Sequence, residues 1–210
     1  MRPIYLISKT PYPGVIHVPL LTIHFFTPEI NFDLYSGIIV TSKQAAEGLK
    51  QYAPDWDRVS VICVGEETAH AIKKLGARYV EIADGYGMSI LETLSVHNGK
   101  WLYLRPKMIA SQWPVEAREL GISVDEVIIY ETTCNEKMET MEIAPNGVLI
   151  FTSPSSIVCF CKRYKIVTTQ KVIVIGKTTQ NSLPHGIKSI LSEKKSVVSC
   201  VEKAREIATF

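Results

Sequence analysis

One stretch of this chain occurs twice, and the duplication restricts what it can fold into. Gly37-Ile38-Ile39-Val40-Thr41-Ser42 has its counterpart in Val148-Leu149-Ile150-Phe151-Thr152-Ser153. A helix-length interval later, Val61-Ile62-Cys63-Val64-Gly65-Glu66-Glu67-Thr68 has its counterpart in Val172-Ile173-Val174-Ile175-Gly176-Lys177-Thr178-Thr179. Ser42 and Ser153, Gly65 and Gly176, and Thr68 and Thr179 all lie the same 111 positions apart. Three anchors at one offset predict two copies of a βαβα unit.

Both copies follow the same physical logic. A short apolar, β-branched run of the kind a parallel sheet buries on both faces stops at a Thr-Ser pair, and that pair can cap the following helix. The second run stops at a glycine, where backbone can approach a ligand, and a threonine three residues on falls in the first turn of the next helix. The loops therefore belong at the carboxyl ends of strands, beside helix N-termini whose free N–H groups suit anions. Open α/β sheets bind ligands at such places.

At 210 residues the chain is long enough for one large or two small domains, and the repeat favours two. The first copy, from Gly37 to about Ile129, holds enough elements to complete a doubly wound domain. The second is short of strands unless Ile4–Ile7 and Leu20–Phe26 join it. The count predicts a discontinuous domain of residues 1–33 plus 136–210, with residues 36–129 inserted and crossings near 31–36 and 130–135. Between the copies, Cys134–Asn146 reads as a linker leading into a solvated helix, Asp84–Gly87 as a loop, and Ser196–Ile207 as an amphipathic helix.

A formal net charge of +2 gives no reason to expect nucleic acid as a partner. The apolar run after Met1 is too short for a signal peptide. Val15–Phe26, broken by His17, Pro19 and His24, is too short to span a bilayer. The five cysteines have no CxxC spacing, which argues against metal or redox use. Cys63, Cys159 and Cys161 read as small buried apolar residues, and a reducing cytoplasm fits that usage.

Several residues have both a chemical and a structural reading. Thr41-Ser42 and Thr152-Ser153 present hydroxyls either to a ligand or only to a helix N-terminus. The turns at Gly65–Thr68 and Gly176–Thr179 resemble anion-binding turns but match neither GxGxxG nor GxxxxGK[ST], which disfavours a dinucleotide or P-loop nucleotide. Glu66 and Glu67 place two acids beside the first of these turns. Arg105 and Lys107, at the end of the run Trp101–Leu104, bind carboxylates or are solvated loop cations. Tyr130, ending an apolar strand, is a proton donor or a packed strand tyrosine. The scattered histidines form no catalytic or metal-binding pattern. The shortage of acid, base and nucleophile points to a site working through shape, amides and hydroxyls.

Taken in order, Val40-Thr41-Ser42, Val64-Gly65-Glu66-Glu67-Thr68, Leu102-Tyr103-Leu104-Arg105, Val124 to Tyr130 with Glu131-Thr132, Phe151-Thr152-Ser153-Pro154 and Ile175-Gly176-Lys177-Thr178-Thr179 make a set that resembles the uroporphyrinogen-III synthase family over nearly the whole chain. The resemblance implies an α/β fold of two flavodoxin-like doubly wound parallel-sheet domains joined by a two-stranded β ladder, with the active site in the inter-domain cleft. It implies a monomeric, cytoplasmic lyase without cofactor or metal that closes hydroxymethylbilane, a linear tetrapyrrole polycarboxylate, to uroporphyrinogen III with loss of water and inversion of the last ring. By that match Tyr130 is the proton donor. Thr41, Ser42, Gly65, Thr68, Arg105, Ser153, Ser155, Gly176, Thr178 and Thr179 bind substrate. Two other readings remain open on the residues alone: a two-lobed small-molecule binding protein without catalysis, and a flavodoxin-like FMN protein suggested by the hydroxyl-rich loop Thr152–Ser156.

Overall fold

A computed structural model of the chain describes residues 1–83, 88–109 and 111–209. The loop expected at Asp84–Gly87 lies outside the described residues. The chain divides into two compact units, one made of Met1–Thr22 with Thr132–Phe210 and the other of Ile23–Glu131. The first crossing falls at Thr22/Ile23, upstream of the Asn31–Ser36 segment. That segment instead holds a short 3-10 turn, capped by Asn31, whose Phe32 is buried in the second unit's core.

The first unit carries a five-stranded parallel sheet. Its strands are β1 (Ile4–Ile7), β2 (Ile16–Val18), β9 (Val148–Phe151), β10 (Lys171–Val174) and β11 (Ile190–Leu191), in the order β11-β10-β9-β1-β2. Alternate side chains leave each strand on opposite faces. Tyr5, Ile7, Leu149, Phe151 and Val174 meet α5 (Pro154–Arg163), while Leu6, Val148, Ile150 and Ile173 meet α7 (Val197–Ala208). The amphipathic helix expected at Ser196–Ile207 is α7, and Ser196 caps it by accepting from the Ser199 amide. The link from β1 to β2 runs only from Ser8 to Val15, too short for the usual crossover helix. Its Tyr12 and Val15 pack beside α7 instead.

The second unit carries β3 (Leu21–Phe25), β4 (Gly37–Val40), β5 (Ser60–Val64), β6 (Val80–Ala83), β7 (Trp101–Pro106) and β8 (Val124–Cys134), in the order β3-β8-β7-β4-β5-β6. The unit boundaries fall inside β3 and β8. From β8 to β6 the pairing is parallel. One face packs on α1 (Lys43–Leu49) and α2 (Glu66–Lys74), the other on α3 (Met88–Ser95) and α4 (Trp113–Glu119).

The two orders are one topology with the chain cut at different points. β6-β5-β4-β7-β8 matches β11-β10-β9-β1-β2, with β4 and β9, and β5 and β10, as the repeated runs. In each sheet the connections turn opposite ways between the paired strands β4 and β7, or β9 and β1. The crevice beyond the carboxyl ends of such a pair is the natural ligand site of an open α/β sheet. Thr41-Ser42 and Thr152-Ser153 follow the first member of each pair.

Two expectations are corrected. Cys134–Asn146 forms no helix; Met138, Met141, Ile143 and Ala144 dock on the core beneath α5, with their main chain held by Arg163, Tyr164 and Tyr5 side chains. Cys159 is not a lone apolar residue but forms a disulfide with Cys134, and Cys161 is exposed. Cys63 is buried in β5 as expected.

Candidate active site

The tip of β4 is where the second unit gathers its reactive groups. Ser42 takes an extended conformation and its Oγ accepts the Ala45 N–H at 3.1 Å, capping α1. The same oxygen lies 2.9 Å from the Tyr130 hydroxyl, in a hydrogen bond either partner can donate. One residue earlier, Thr41 Oγ1 lies 3.1 Å from the Tyr103 hydroxyl. Two phenols thus bracket the Thr-Ser pair, Tyr103 from the α3/α4 face of the sheet and Tyr130 from the α1/α2 face.

A strand irregularity aims Tyr130. Along β7 and β8 the register runs Arg105 to Ile128 and then Pro106 to Tyr130, leaving Ile129 as an extra residue. Strict alternation would put Ile129 and Tyr130 on opposite faces; the bulge brings both into one core cluster and turns the phenol toward Ser42. The Lys107 amide, donating to the Tyr130 carbonyl at 2.9 Å, fixes the backbone there.

Both phenols are buried, Tyr103 to 4 % exposure and Tyr130 to 6 %. Burial pushes the Tyr130 hydroxyl above its ordinary pKa; the Ser42 hydrogen bond pulls it back and nearby Tyr103 adds to the rise. Burial likewise raises Tyr103, against the opposing hydrogen bond to Thr41 and the positive charge of Arg105. Both are neutral donors at physiological pH.

The remaining expected residues divide clearly. Gly65, at φ 78°, begins α2, and an added Cβ would meet nothing within 4 Å. Thr68 is buried in the first turn of that helix. Glu67 is engaged by Lys43 from the Thr-Ser loop, so one of the two acids beside the Gly65 turn is neutralised. A depression of ≈ 580 Å³ adjoins this turn, lined by Lys43, Glu66, Glu67, His70, Ala71 and Lys74, and does not include Tyr130. Arg105 is committed within its sheet. Its Nη1 donates to the Pro106 and Lys107 carbonyls, and its Nε sits 2.8 Å from Glu126 in a charge contact whose N–H is not aimed at the carboxylate.

In the first unit, Thr152 Oγ1 donates to the Ile7 carbonyl, tying β9 to β1 at the switch point. Ser153 and Ser156 form a reciprocal capping box at the start of α5. Their amides are used in the box and Pro154 has none, which leaves Ser155 as the member of that loop outside the cap. Gly176 precedes α6 (Lys177–Gln180), and an added Cβ there also meets nothing within 4 Å. Thr178 is exposed and Thr179 is buried to 3 %.

Sequence reasoning gave Tyr103 no role. Alternation predicts only that it faces away from Leu102 and Leu104; that β4 lies beside β7, with Ile39 opposite Tyr103, is settled by topology and leaves no local trace. Ser8, buried at the tip of β1 and donating to the Thr10 carbonyl at 2.5 Å, was missed for the same reason.

A doubled parallel α/β sheet with hydroxyls at each switch point, joined in the second unit by two phenols, places the chain among the open-sheet α/β proteins that take ligands at their strand tips. The sequence profile of the family described as uroporphyrinogen-III synthase HemD matches residues 14–202. The chain belongs to the uroporphyrinogen-III synthase family, cyclising lyases of haem biosynthesis. Among solved structures it is similar to uroporphyrinogen-III synthetase from Helicobacter pylori, with a TM-score of 0.81 and 22 % identity over 99 % of this chain and 100 % of that one. It is also similar to a mutant uroporphyrinogen III synthase from the extremely thermophilic bacterium Thermus thermophilus, with a TM-score of 0.65 and 13 % identity over 100 % and 99 %. At these identities the likeness speaks for the fold. No curated protein matches the chain significantly. Among the described residues, no helix is long and apolar enough to cross a membrane.

Proposed function

We propose that this chain closes hydroxymethylbilane to uroporphyrinogen III at the strand tips of its two flavodoxin-like domains, with the substrate in a cleft between them and Tyr130 as the source of the proton for the departing hydroxyl. The observation that carries the reading is the Tyr130–Ser42 hydrogen bond at the β4/β7 switch point. Expulsion of water from the hydroxymethyl group needs a proton on the leaving oxygen, and a phenol with pKa near ~10 holds one at neutral pH. The pyrrole nitrogen supplies the electron pair, so the protein's task is to protonate and to position.

Positioning falls to groups around the tips. Carboxylate arms of the substrate are met by Thr41 and Ser42, by the backbone at Gly65 and Gly176, and by Ser153, Ser155 and Thr178. Thr68 and Thr179, buried in the first turns of their helices, support those loops from beneath. Arg105 acts through its charge on Tyr103 and by fixing the end of β7. The protein works as a monomer, without cofactor, in the cytoplasm, where the Cys134–Cys159 disulfide is open to reduction.

The direct test supplies freshly made hydroxymethylbilane and separates the product isomers by chromatography. Formation of the type III isomer supports the assignment; the type I isomer alone, at the rate without protein, overturns it. Tyr130→Phe is expected to lower type III formation by about 10²-fold.

A further inference from the structure

The burial of Tyr130 raises a question of delivery. Its ring packs among Val40, Ala45, Leu104 and Ile129, and 6 % of its surface is exposed. Its hydroxyl is hydrogen-bonded to a group at the tip of β4 that is more exposed than Tyr130 itself: Ser42 Oγ, 2.9 Å away on a half-buried residue. Ser42 Oγ already accepts the Ala45 N–H. A serine hydroxyl has one proton and two lone pairs, so this oxygen can still accept one hydrogen bond and donate one. With Tyr130 donating to it, the serine proton is left to point outward.

We propose that Ser42 is the catalytic residue that hands the proton to the leaving oxygen, and that Tyr130 acts through it as the reservoir. The proposal rests on the assignment of Tyr130 as the acid. The C–O bond of the hydroxymethyl group breaks and its electron pair stays on oxygen. That oxygen takes the Ser42 proton and leaves as water, while Ser42 Oγ takes the Tyr130 proton. The pyrrole nitrogen lone pair forms a ring C=N bond, and the displaced ring π electrons form the new double bond to the exocyclic carbon. The Tyr130 phenolate, held by the Ser42 O–H, is reprotonated by the proton the tetrapyrrole releases when ring closure restores its aromatic pyrroles. One water is lost, the reaction is redox-neutral overall with no external oxidant or reductant, and the pair returns to its starting form.

The geometry also explains why the N-cap is a serine and why it sits beside a bulge. The cap bond fixes the serine rotamer, and the bulge at Ile129 turns the phenol onto that oxygen. A cap alone is served equally well by Asn or Asp, neither of which carries a hydroxyl proton to pass on.

The test compares Ser42→Asn, Ser42→Thr, Tyr130→Phe and Ser42→Asn/Tyr130→Phe in the full chain, following type III formation in single turnovers. Thermal midpoints confirm that each variant is folded. Ser42→Asn keeps the cap and is expected to slow the single turnover at saturating hydroxymethylbilane by about 10²-fold, while Ser42→Thr, which keeps the hydroxyl, restores most of the rate. The double variant is expected to be no slower than the slower single one, as for two parts of one device. In mixtures of light and heavy water the wild-type rate is expected to depend on deuterium content along a curve, since two protons move together. A linear dependence, or Ser42→Asn turning over at the wild-type rate while Tyr130→Phe is slow, overturns the relay and leaves Tyr130 as the direct acid. Wild-type rates in both single variants overturn the assignment of Tyr130 as well.

Discussion

At Gly176 the backbone is extended, with φ −170° and ψ 167°, a conformation any residue adopts, and an added Cβ would meet nothing within 4 Å. Neither conformation nor packing within the chain calls for glycine at this strand tip; under the proposed function its small size makes room for a substrate arm. Gly176→Ala is therefore expected to leave the unfolding midpoint unchanged within about 0.5 kcal/mol, as for a surface substitution, and to raise KM for hydroxymethylbilane several-fold. Urea unfolding and steady-state kinetics on the same variant separate the two effects, and an unchanged KM would remove Gly176 from the binding surface. Gly65 differs because its φ of 78° is strained for any side chain, so Ala there costs roughly 1 kcal/mol of folding before any ligand is considered. The identical spacing of the two copies made both glycines visible in the sequence. It made Thr68 and Thr179 equally visible, and those are buried in helix first turns. A repeat preserves what the fold needs as faithfully as what the ligand needs, and spacing cannot separate them.

Among the elements, the repeated strands and the helices after them were legible because each carries its own signal: a β-branched run, a capping hydroxyl, a positive-φ glycine such as Gly76 or Gly121. What was not legible depends on partners distant in sequence. β2 was hidden because three residues, Ile16–Val18, pair with β1 across a link too short to suggest a parallel neighbour. The bulge that aims Tyr130 has no local mark. The segment after β8 read as a solvated helix from its acids, yet its methionines dock and Cys134 reaches Cys159 on α5. That bond spans a sequence separation of 25 residues, for which loop-closure entropy gives about 3.5 kcal/mol. The double variant Cys134→Ser/Cys159→Ser is expected to lose about that much stability relative to the oxidised wild type. Reductant should bring the two proteins together. Thiol titration of the unfolded, unreduced chain should find the three free cysteines Cys63, Cys161 and Cys200; five reactive thiols, with no effect of reductant on stability, would show the bond does not form.

For the whole molecule, duplicated sheets buried on both faces mean that titratable groups seeded in strands are taken out of water with them. Cys63, in β5 with no exposed surface, has its thiol pushed up to about 12 by burial, against an ordinary value of 9.0. Tyr103 and Tyr130 are raised above 10.0 for the same first reason. In each case the fold favours the neutral, protonated form. Below about pH 9 these groups are protonated in the folded and unfolded chains alike, and stability is at its full value. Above that, the unfolded chain ionises first and binds fewer protons, so stability falls, beginning with Cys63 and with Cys161 and Cys200, whose thiols burial also raises, and steepening past about pH 10 as the unfolded phenols ionise. The loss continues until the folded thiol itself titrates at about 12. Urea midpoints measured from about pH 8 upward are thus expected to decline from about pH 9, with Cys63→Val making the first part of the decline shallower and Tyr103→Phe removing part of the later slope. A Cys63→Val protein whose midpoint declined with the same slope as the wild type would show that the fold does not hold the Cys63 thiol above its unfolded value.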